Sequence, residues 1–416
     1  MSASGQLHVA IVGAGIAGLA TAYRLGQRGH RVTVLETQER IGGRALTLHS
    51  RFAAGLVAQA GPTRFPADLR RVRAYAEEFG LELVPYYPAS GTVVAYLRGK
   101  RTADHQPSPD EFWGYVSLAR RYPRPLEKFA LRMALAARAL AHRLTGRRPW
   151  QTVGIRGGTE RLAEALARAS GAEFRLNTTV RSFKQDRWGV ELLSEGPQGE
   201  RALEADLAVC ALPLSELPGI AFSPPISEEK QALSREIRFS TTTRIFLQMK
   251  RAYWRDAGHN GFAVTDTVGE VWDPHFDRPD RPALLVCYAR DGLAARLSAL
   301  DERAMVDYAV RELEHVFPGA ARNFERGAAF CWNRQSWIRG GWPHVRAGFA
   351  RRAQEFRRSE DRLYFAGDYA STPAYLNTVE GAIESGEYAA LAIESAARLG
   401  VRTERPASAV PSRRSA

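Results

Sequence analysis

The chain has 416 residues, 45% apolar and 25% charged, with 58 Lys and Arg against 45 Asp and Glu for a net charge of +13. That balance belongs to an ordinary globular protein of two or three structural units and excludes a disordered, collagen-like or coiled-coil chain. Cys210, Cys287 and Cys331 lie far apart, so no CxxC pair or disulfide framework is expected, and the expected setting is reducing and cytoplasmic. The histidines form no HExxH or other metal spacing, and no Gly-x-Ser-x-Gly elbow exists, so no metal site and no serine hydrolase is expected. The longest uncharged apolar run, Val9 to Tyr23, has no Lys or Arg before it and is broken by glycines, which argues against a leader or a membrane span.

In chain order, Leu7 to Val12 is an apolar run bounded by Gly13, the pattern of a buried parallel strand. Gly13-Ala14-Gly15-Ile16-Ala17-Gly18 leads into a helical pattern, a turn at Arg28-Gly29-His30, and a second strand, Arg31 to Leu35, ending at Glu36. Each glycine has a mechanical use. Gly13 allows the tight turn, Gly15 lets a pyrophosphate approach the backbone, and Gly18 lets the helix pack close to the sheet. The first helical amides, at Ile16, Ala17 and Gly18, offer donors and a positive dipole to phosphates. Glu36 is placed to accept from ribose hydroxyls. Strand, helix, second strand and acid together predict a dinucleotide site.

Gly42-Gly43-Arg44 follows the acid closely, where bare backbone amides can approach a bound dinucleotide and Arg44 can neutralise its pyrophosphate. Residues 154–158 read as a glycine turn into a helix, Glu173 to Val180 as a strand, and Asp206 to Pro213 as a strand with an exit proline. Arg362 to Asp368 reads as a strand ending in Gly367-Asp368, and Thr378-Val379-Glu380-Gly381 opens a helix. On these motifs almost the whole chain resembles the flavin-dependent amine oxidase superfamily, which includes monoamine, polyamine and L-amino-acid oxidases, protoporphyrinogen oxidases and phytoene desaturases. The resemblance implies an α/β protein. A discontinuous Rossmann-like FAD-binding domain is expected over 1–60, 151–215 and 345–400, and a mixed-sheet plus helical substrate domain over 61–150 and 216–344. Residues 401–416 read as a disordered basic tail. Within the substrate part, 235–250 and 282–289 read as strands and 301–316 as a helix.

The resemblance also implies roles. Backbone groups near Val180 hold the adenine, Gly367 and Asp368 meet the ribityl-phosphate side, and Thr378 and Val379 start a helix facing the flavin's pyrimidine end. Gly61, Pro62 and Thr63 line the cofactor. Arg64, in a Gly-Pro-x-Arg segment like that of L-amino-acid oxidases, is expected to hold a substrate carboxylate; the other reading pairs it with an acid inside the protein. Arg244 falls where many amine oxidases keep a Lys beside the flavin, and Arg is no equivalent of Lys. Its other reading is a sheet-face residue paired with a carboxylate. Trp342 is the one aromatic residue left of the family's cage, because Thr378 replaces the second. Trp337, Tyr375 and Asn377 are further site-lining candidates. No Cys or His stands at the customary flavin attachment positions, so FAD is expected to be non-covalent.

Residues 98–148 carry 12 Lys or Arg against 4 Asp or Glu. Within them 128–144 reads as an apolar helix with a basic stripe, suited either to an anionic membrane surface or to ordinary packing beneath a solvated stripe. No nucleic-acid module is present. Two functional readings remain open. One is an amine or L-amino-acid oxidase type enzyme, with hydride transfer from a C–H next to nitrogen to flavin N5, an imine product, and O₂ or another electron acceptor. The other is an FAD-dependent dehydrogenase of C–C bonds in an apolar, isoprenoid or protoporphyrinogen-like substrate. A flavoprotein without catalysis is a third, weaker reading.

Overall fold

The structure, a computed structural model, describes residues 6–53, 55–88, 90–104, 152–278, 282–344 and 348–398. The basic helix expected over 128–144 and the tail from 401 fall outside the described residues. The chain divides into two compact units: Met1–Leu46, Glu160–Ser240 and Gln335–Ala416 form one, and Thr47–Thr159 and Thr241–Arg334 the other. The crossings thus lie after 46, 159, 240 and 334, where the sequence motifs placed them after 60, 150, 215 and 344. Local pairing accounts for the shift. Thr47–Leu48 pairs antiparallel with Ala58–Gln59, and Thr159 bonds to Gln59 and Pro62, so 47–60 stays with the second unit. Leu233, on the helix Glu228–Glu236, joins the core cluster of Val180, Leu214 and Phe365, which keeps 216–240 with the first.

The first unit is built on a five-stranded parallel sheet, in the order Glu173–Arg175, Arg31–Leu35, His8–Val12, Leu207–Cys210 and Leu363–Phe365. The near-continuous burial of its central strands is what a parallel sheet covered on both faces requires. The helix Ile16–Gly26 is buried along almost its whole length. Its close neighbour is the last helix, Val379–Arg398, where a Cβ on Gly386 would lie 2.4 Å from the Ala17 carbonyl oxygen. A second sheet orders Gly199–Ala205, Val190–Gly196, Thr179–Gln185 and Ala221–Ser223. The single strand expected over 173–180 is therefore two strands in two sheets. The break falls at Asn177, whose φ of 51° ends the extended run.

The second unit centres on a seven-stranded sheet: Phe324–Cys331, Thr242–Met249, Ala283–Arg290, Glu270–Trp272, His259–Thr265, Thr92–Leu97 and Lys100–Asp104. The strand expected from 235 begins only at Thr242, because 228–236 is helical. One face of the sheet, with Ile245, Leu247, Leu285 and Cys287, packs on Met305, Ala309 and Leu313 of the helix Glu302–Val316. Among the described residues no helix is long and apolar enough to cross a membrane.

Asp273, just after the strand Glu270–Trp272, is buried; it accepts from the His275 amide at 2.8 Å and meets Arg255 at 3.4 Å. Burial pushes its carboxyl from an ordinary value near 3.8 up to about 7, against the pull of that amide and of Arg255. The folded state then binds more protons than the unfolded chain between these two values, so this group makes stability fall as pH rises through that window. Asp273→Asn keeps an acceptor for the His275 amide and removes the titration. Denaturation at several pH values should show the variant gaining on the parent from about pH 4 to about pH 8, by roughly 1.4 kcal/mol for each pH unit crossed between the unfolded and folded pKa. A difference that stays constant over that range would contradict the assignment.

Candidate active site

The first unit carries the glycine cradle. Gly13 has φ +106°, and a Cβ there would meet the Ala211 carbonyl oxygen at 2.8 Å. A Cβ on Gly18 would lie 2.1 Å from the Gly13 oxygen, so this glycine sets how closely the helix approaches the strand. A Cβ on Gly15 would meet nothing within 4 Å, which leaves open space above that backbone. The helix Ile16–Gly26 starts there with no side-chain cap and no acidic residue in its first turn. Its first amides, through Ile16, Ala17 and Gly18, keep their positive end for an anion. Glu36 is buried and accepts from the Ala14 amide at 2.7 Å and the Gln38 amide at 3.0 Å. Burial raises its pKa, and the two amides pull it back. The second glycine turn stacks on the first, with Gly42 N donating to Ala14 O at 2.8 Å and Gly43 facing Gly15.

Arg44 extends from that turn into a closed ring of contacts. It donates to Asp368 at 2.7 Å and to the Gly341 carbonyl at 3.2 Å. Asp368 O accepts from Asn377 N at 3.1 Å, and Asn377 Nδ2 donates to Pro343 O at 3.1 Å, next to Trp342. The ring brings together Arg44, Asp368, Asn377 and Trp342, four residues singled out from sequence. Asn377 has φ 60°, and its Oδ1 is a buried acceptor without a partner among the described residues. Thr378 has a role the sequence did not reveal: its hydroxyl accepts from Gly381 N at 3.0 Å and donates to Tyr375 O, capping the helix that starts at Val379. Gly367 N donates to Ser385. Val180 sits beside an irregularity in its strand pairing, between Val180 and Ser182. The Trp337 indole N–H is buried without a partner among the described residues.

The second unit holds the remaining candidates. Four successive carbonyls of the loop before Arg64 are tied down. Arg244 donates to Gln59 O at 2.6 Å and Gly61 O at 2.5 Å, Trp332 to Ala60 O, and Thr159 to Pro62 O. Thr63 is buried beside Tyr86. Arg64, presented by this loop, donates to Tyr87 OH at 3.2 Å and to Glu270 at 2.9 Å, with Tyr86 under its guanidinium. Burial opposes its charge, but Tyr87, Glu270 and Tyr86 together raise its pKa well above the ordinary value.

Strand register explains the cluster. Phe330, Arg244, Tyr288 and Glu270 are direct partners across four strands and share the face opposite the helix-covered core. Arg290, two residues past Tyr288, donates to Glu270's other oxygen at 3.1 Å. Glu270 has no side-chain exposure, while Arg64 and Arg290 keep 26% and 27%. Arg244 lies over the rings of Trp272 at 5.5 Å and Tyr288 at 4.8 Å. Burial keeps the Tyr288 phenol protonated, at about 12. Arg244 thus binds carbonyls and rings rather than a carboxylate, and Arg64 does have an internal acid. Glu270, Tyr288 and Arg290 were not found from sequence; the alternation Val286, Tyr288, Arg290 was the one available signal.

The profile of flavin containing amine oxidoreductases matches residues 16–147 and 128–393. The chain belongs to that family. It is a flavin-dependent oxidoreductase. The L-amino-acid oxidase of Bothrops pauloensis is 26% identical over 93% of this chain and 89% of its own length, and that of Gloydius blomhoffii is 25% identical over the same shares. In fold, it matches cyclohexylamine oxidase from Brevibacterium oxydans with a TM-score of 0.77 at 21% identity, over 95% of this chain and 100% of the other. Wild-type putrescine oxidase bound to putrescine gives 0.75 at 21%, over 94% and 99%.

Two outcomes follow from this geometry. Glu36→Ala tests the ribose contact expected from sequence and should weaken flavin binding by about 1.5–3 kcal/mol, roughly one to two decades, in a fluorescence titration of apoprotein; an unchanged affinity would exclude that role. Glu270→Ala leaves two guanidiniums without their shared anion. Because both keep some solvent, the loss in chemical denaturation should fall at the low end of the roughly 3–5 kcal/mol of a broken buried pair, and exceed that of Arg64→Ala. A neutral Glu270→Ala would show that the carboxylate is not a structural counter-charge.

Proposed function

We propose that the protein binds FAD non-covalently and oxidises the C–N bond of an amine that also carries a carboxylate, an L-amino acid being the simplest case. The residues of the first unit fit such a cofactor: an uncapped helix start for a diphosphate, bare backbone at Gly15, a buried carboxylate at Glu36, and a buried acceptor at Asn377 without a partner among the described residues. Arg44 and Asp368 are the charged residues that would hold its phosphate and ribityl side. When bound, FAD would supply the hydride acceptor for oxidation of the substrate's C–N bond to an imine, which water would hydrolyse.

The observation that carries the substrate class is the balance of charge around Glu270. Arg64 and Arg290 both bond this one carboxylate and both keep some exposure, so among the ion pairs of the described residues two cations share one anion. Arg244 is a third cation within reach of Glu270; two carbonyls and two ring faces take up part of its charge, and its Nε is a buried donor without a partner among the described residues. A substrate carboxylate brings a second anion, and the fork of a guanidinium fixes its plane. Tying down the loop carbonyls from Gln59 to Pro62 limits how far Arg64 can wander, which favours orientation of the reacting C–H. The overall reaction would need O₂ or another electron acceptor, and three free, buried cysteines are in keeping with a reducing cytoplasm.

Arg64→Ala should lower kcat/KM for an amino acid by about 2–4 kcal/mol, on the order of 30- to 1000-fold, with flavin content unchanged. Arg64→Lys should restore part of it. If the parent enzyme turns over a neutral or purely cationic amine best, and Arg64→Ala leaves that rate intact, the carboxylate reading is wrong.

A further inference from the structure

Resting on the carboxylate reading above, we propose that Arg290 is a second binding residue for the substrate's carboxylate, working as a pair with Arg64 on the two sides of Glu270. The two guanidiniums contact the two oxygens of one fully buried carboxylate, Arg64 on Oε2 and Arg290 on Oε1. They are therefore like charges that share one anion. Arg290's remaining donors are the less committed. Its described partners are Glu270 and the Tyr288 ring at 5.9 Å, so among the described residues Nε and Nη1 donate to no protein acceptor. Arg64, by contrast, already divides itself between Glu270, Tyr87 and the Tyr86 ring.

An incoming carboxylate between the two arginines would complete an alternating ring of guanidinium, Glu270, guanidinium and substrate. That arrangement satisfies donors in the fork geometry carboxylates prefer. Arg290 leaves the end of the strand Ala283–Arg290, whose pairing with Thr242–Met249 and Glu270–Trp272 fixes its direction. Glu270 is a positioning residue in this scheme, since it touches both arginines and is itself sealed from solvent.

The test uses the flavin-loaded enzyme with propionate, benzoate and 3-phenylpropionate as probes, read by perturbation of the flavin spectrum. Arg290→Gln should weaken the best-bound probe about tenfold or more, and Arg290→Lys should recover part of that loss. Because the two arginines grip one group, the double variant with Arg64→Ala should lose less than the product of the single losses. In turnover, Arg290→Gln should raise KM for amino acids and shrink the preference for an amino acid over its decarboxylated amine by a similar factor. A purely structural role would change melting temperature or flavin content and leave that preference alone. If Arg64→Ala weakens the probes and Arg290→Gln leaves them within about twofold, the pairing is overturned and the carboxylate reading survives. If the parent enzyme binds none of the three, both fall.

Discussion

A carboxylate shut away from water between two arginines is the constraint on which the second unit turns. Glu270 has no exposed side-chain surface, so its charge needs internal donors, and Arg64 and Arg290 each supply one. That requirement orders its neighbours. Tyr288 must lie between Glu270 and Arg244 in the sheet row, and the loop bearing Arg64 must come to it. Arg244 secures the loop by binding two of its carbonyls while its flat cation rests on aromatic faces. The core on the opposite face of the sheet holds the row in register. What results is a polar cluster with two partly exposed guanidiniums, the feature on which the proposed binding of a substrate carboxylate rests.

The first unit solves a different problem with backbone rather than charge. Close approach is the theme: Gly18 against Gly13, Gly43 against Gly15, Gly386 against Ala17. Each removes a side chain where two main chains, or a main chain and a ligand, must meet. At the glycine cradle, charge enters at Glu36, just past the second strand, and at the Arg44–Asp368 pair. The Arg44 ring links the second glycine turn to the segment at Gly341–Pro343 and to the start of the last helix, so residues far apart in sequence share one hydrogen-bonded frame.

How much of this was legible depended on how local its cause was. The first strand, turn and helix could be read because glycine geometry and apolar runs act over a few residues: Gly13, Gly15 and Gly18 lie at the strand-to-helix turn and Glu36 follows the second strand. Arg64 was found through its segment, but its partner is 206 residues away and reaches it only through sheet pairing. Arg244 was noticed as a departure from Lys; that it clamps a loop depends on tertiary contacts no spacing encodes. Thr378 read as a missing aromatic residue and is a helix cap, a role that Thr followed three residues later by Gly381 N could have signalled. The unit boundaries moved because a pairing as short as Thr47–Leu48 with Ala58–Gln59 decides the allegiance of a whole segment.

Oxidation of a C–N bond next to a carboxylate is the central claim. Anaerobic mixing of the flavin-loaded enzyme with matched pairs, each an L-amino acid and its decarboxylated amine, tests it most directly when bleaching and ammonia release are followed together. The amino acid should bleach the flavin faster in at least one pair, by on the order of 30-fold or more, with one ammonia and one 2-oxo acid formed per flavin reduced. Equal or faster bleaching by the amines, or bleaching only by an isoprenoid or porphyrinogen substrate without ammonia, would contradict it.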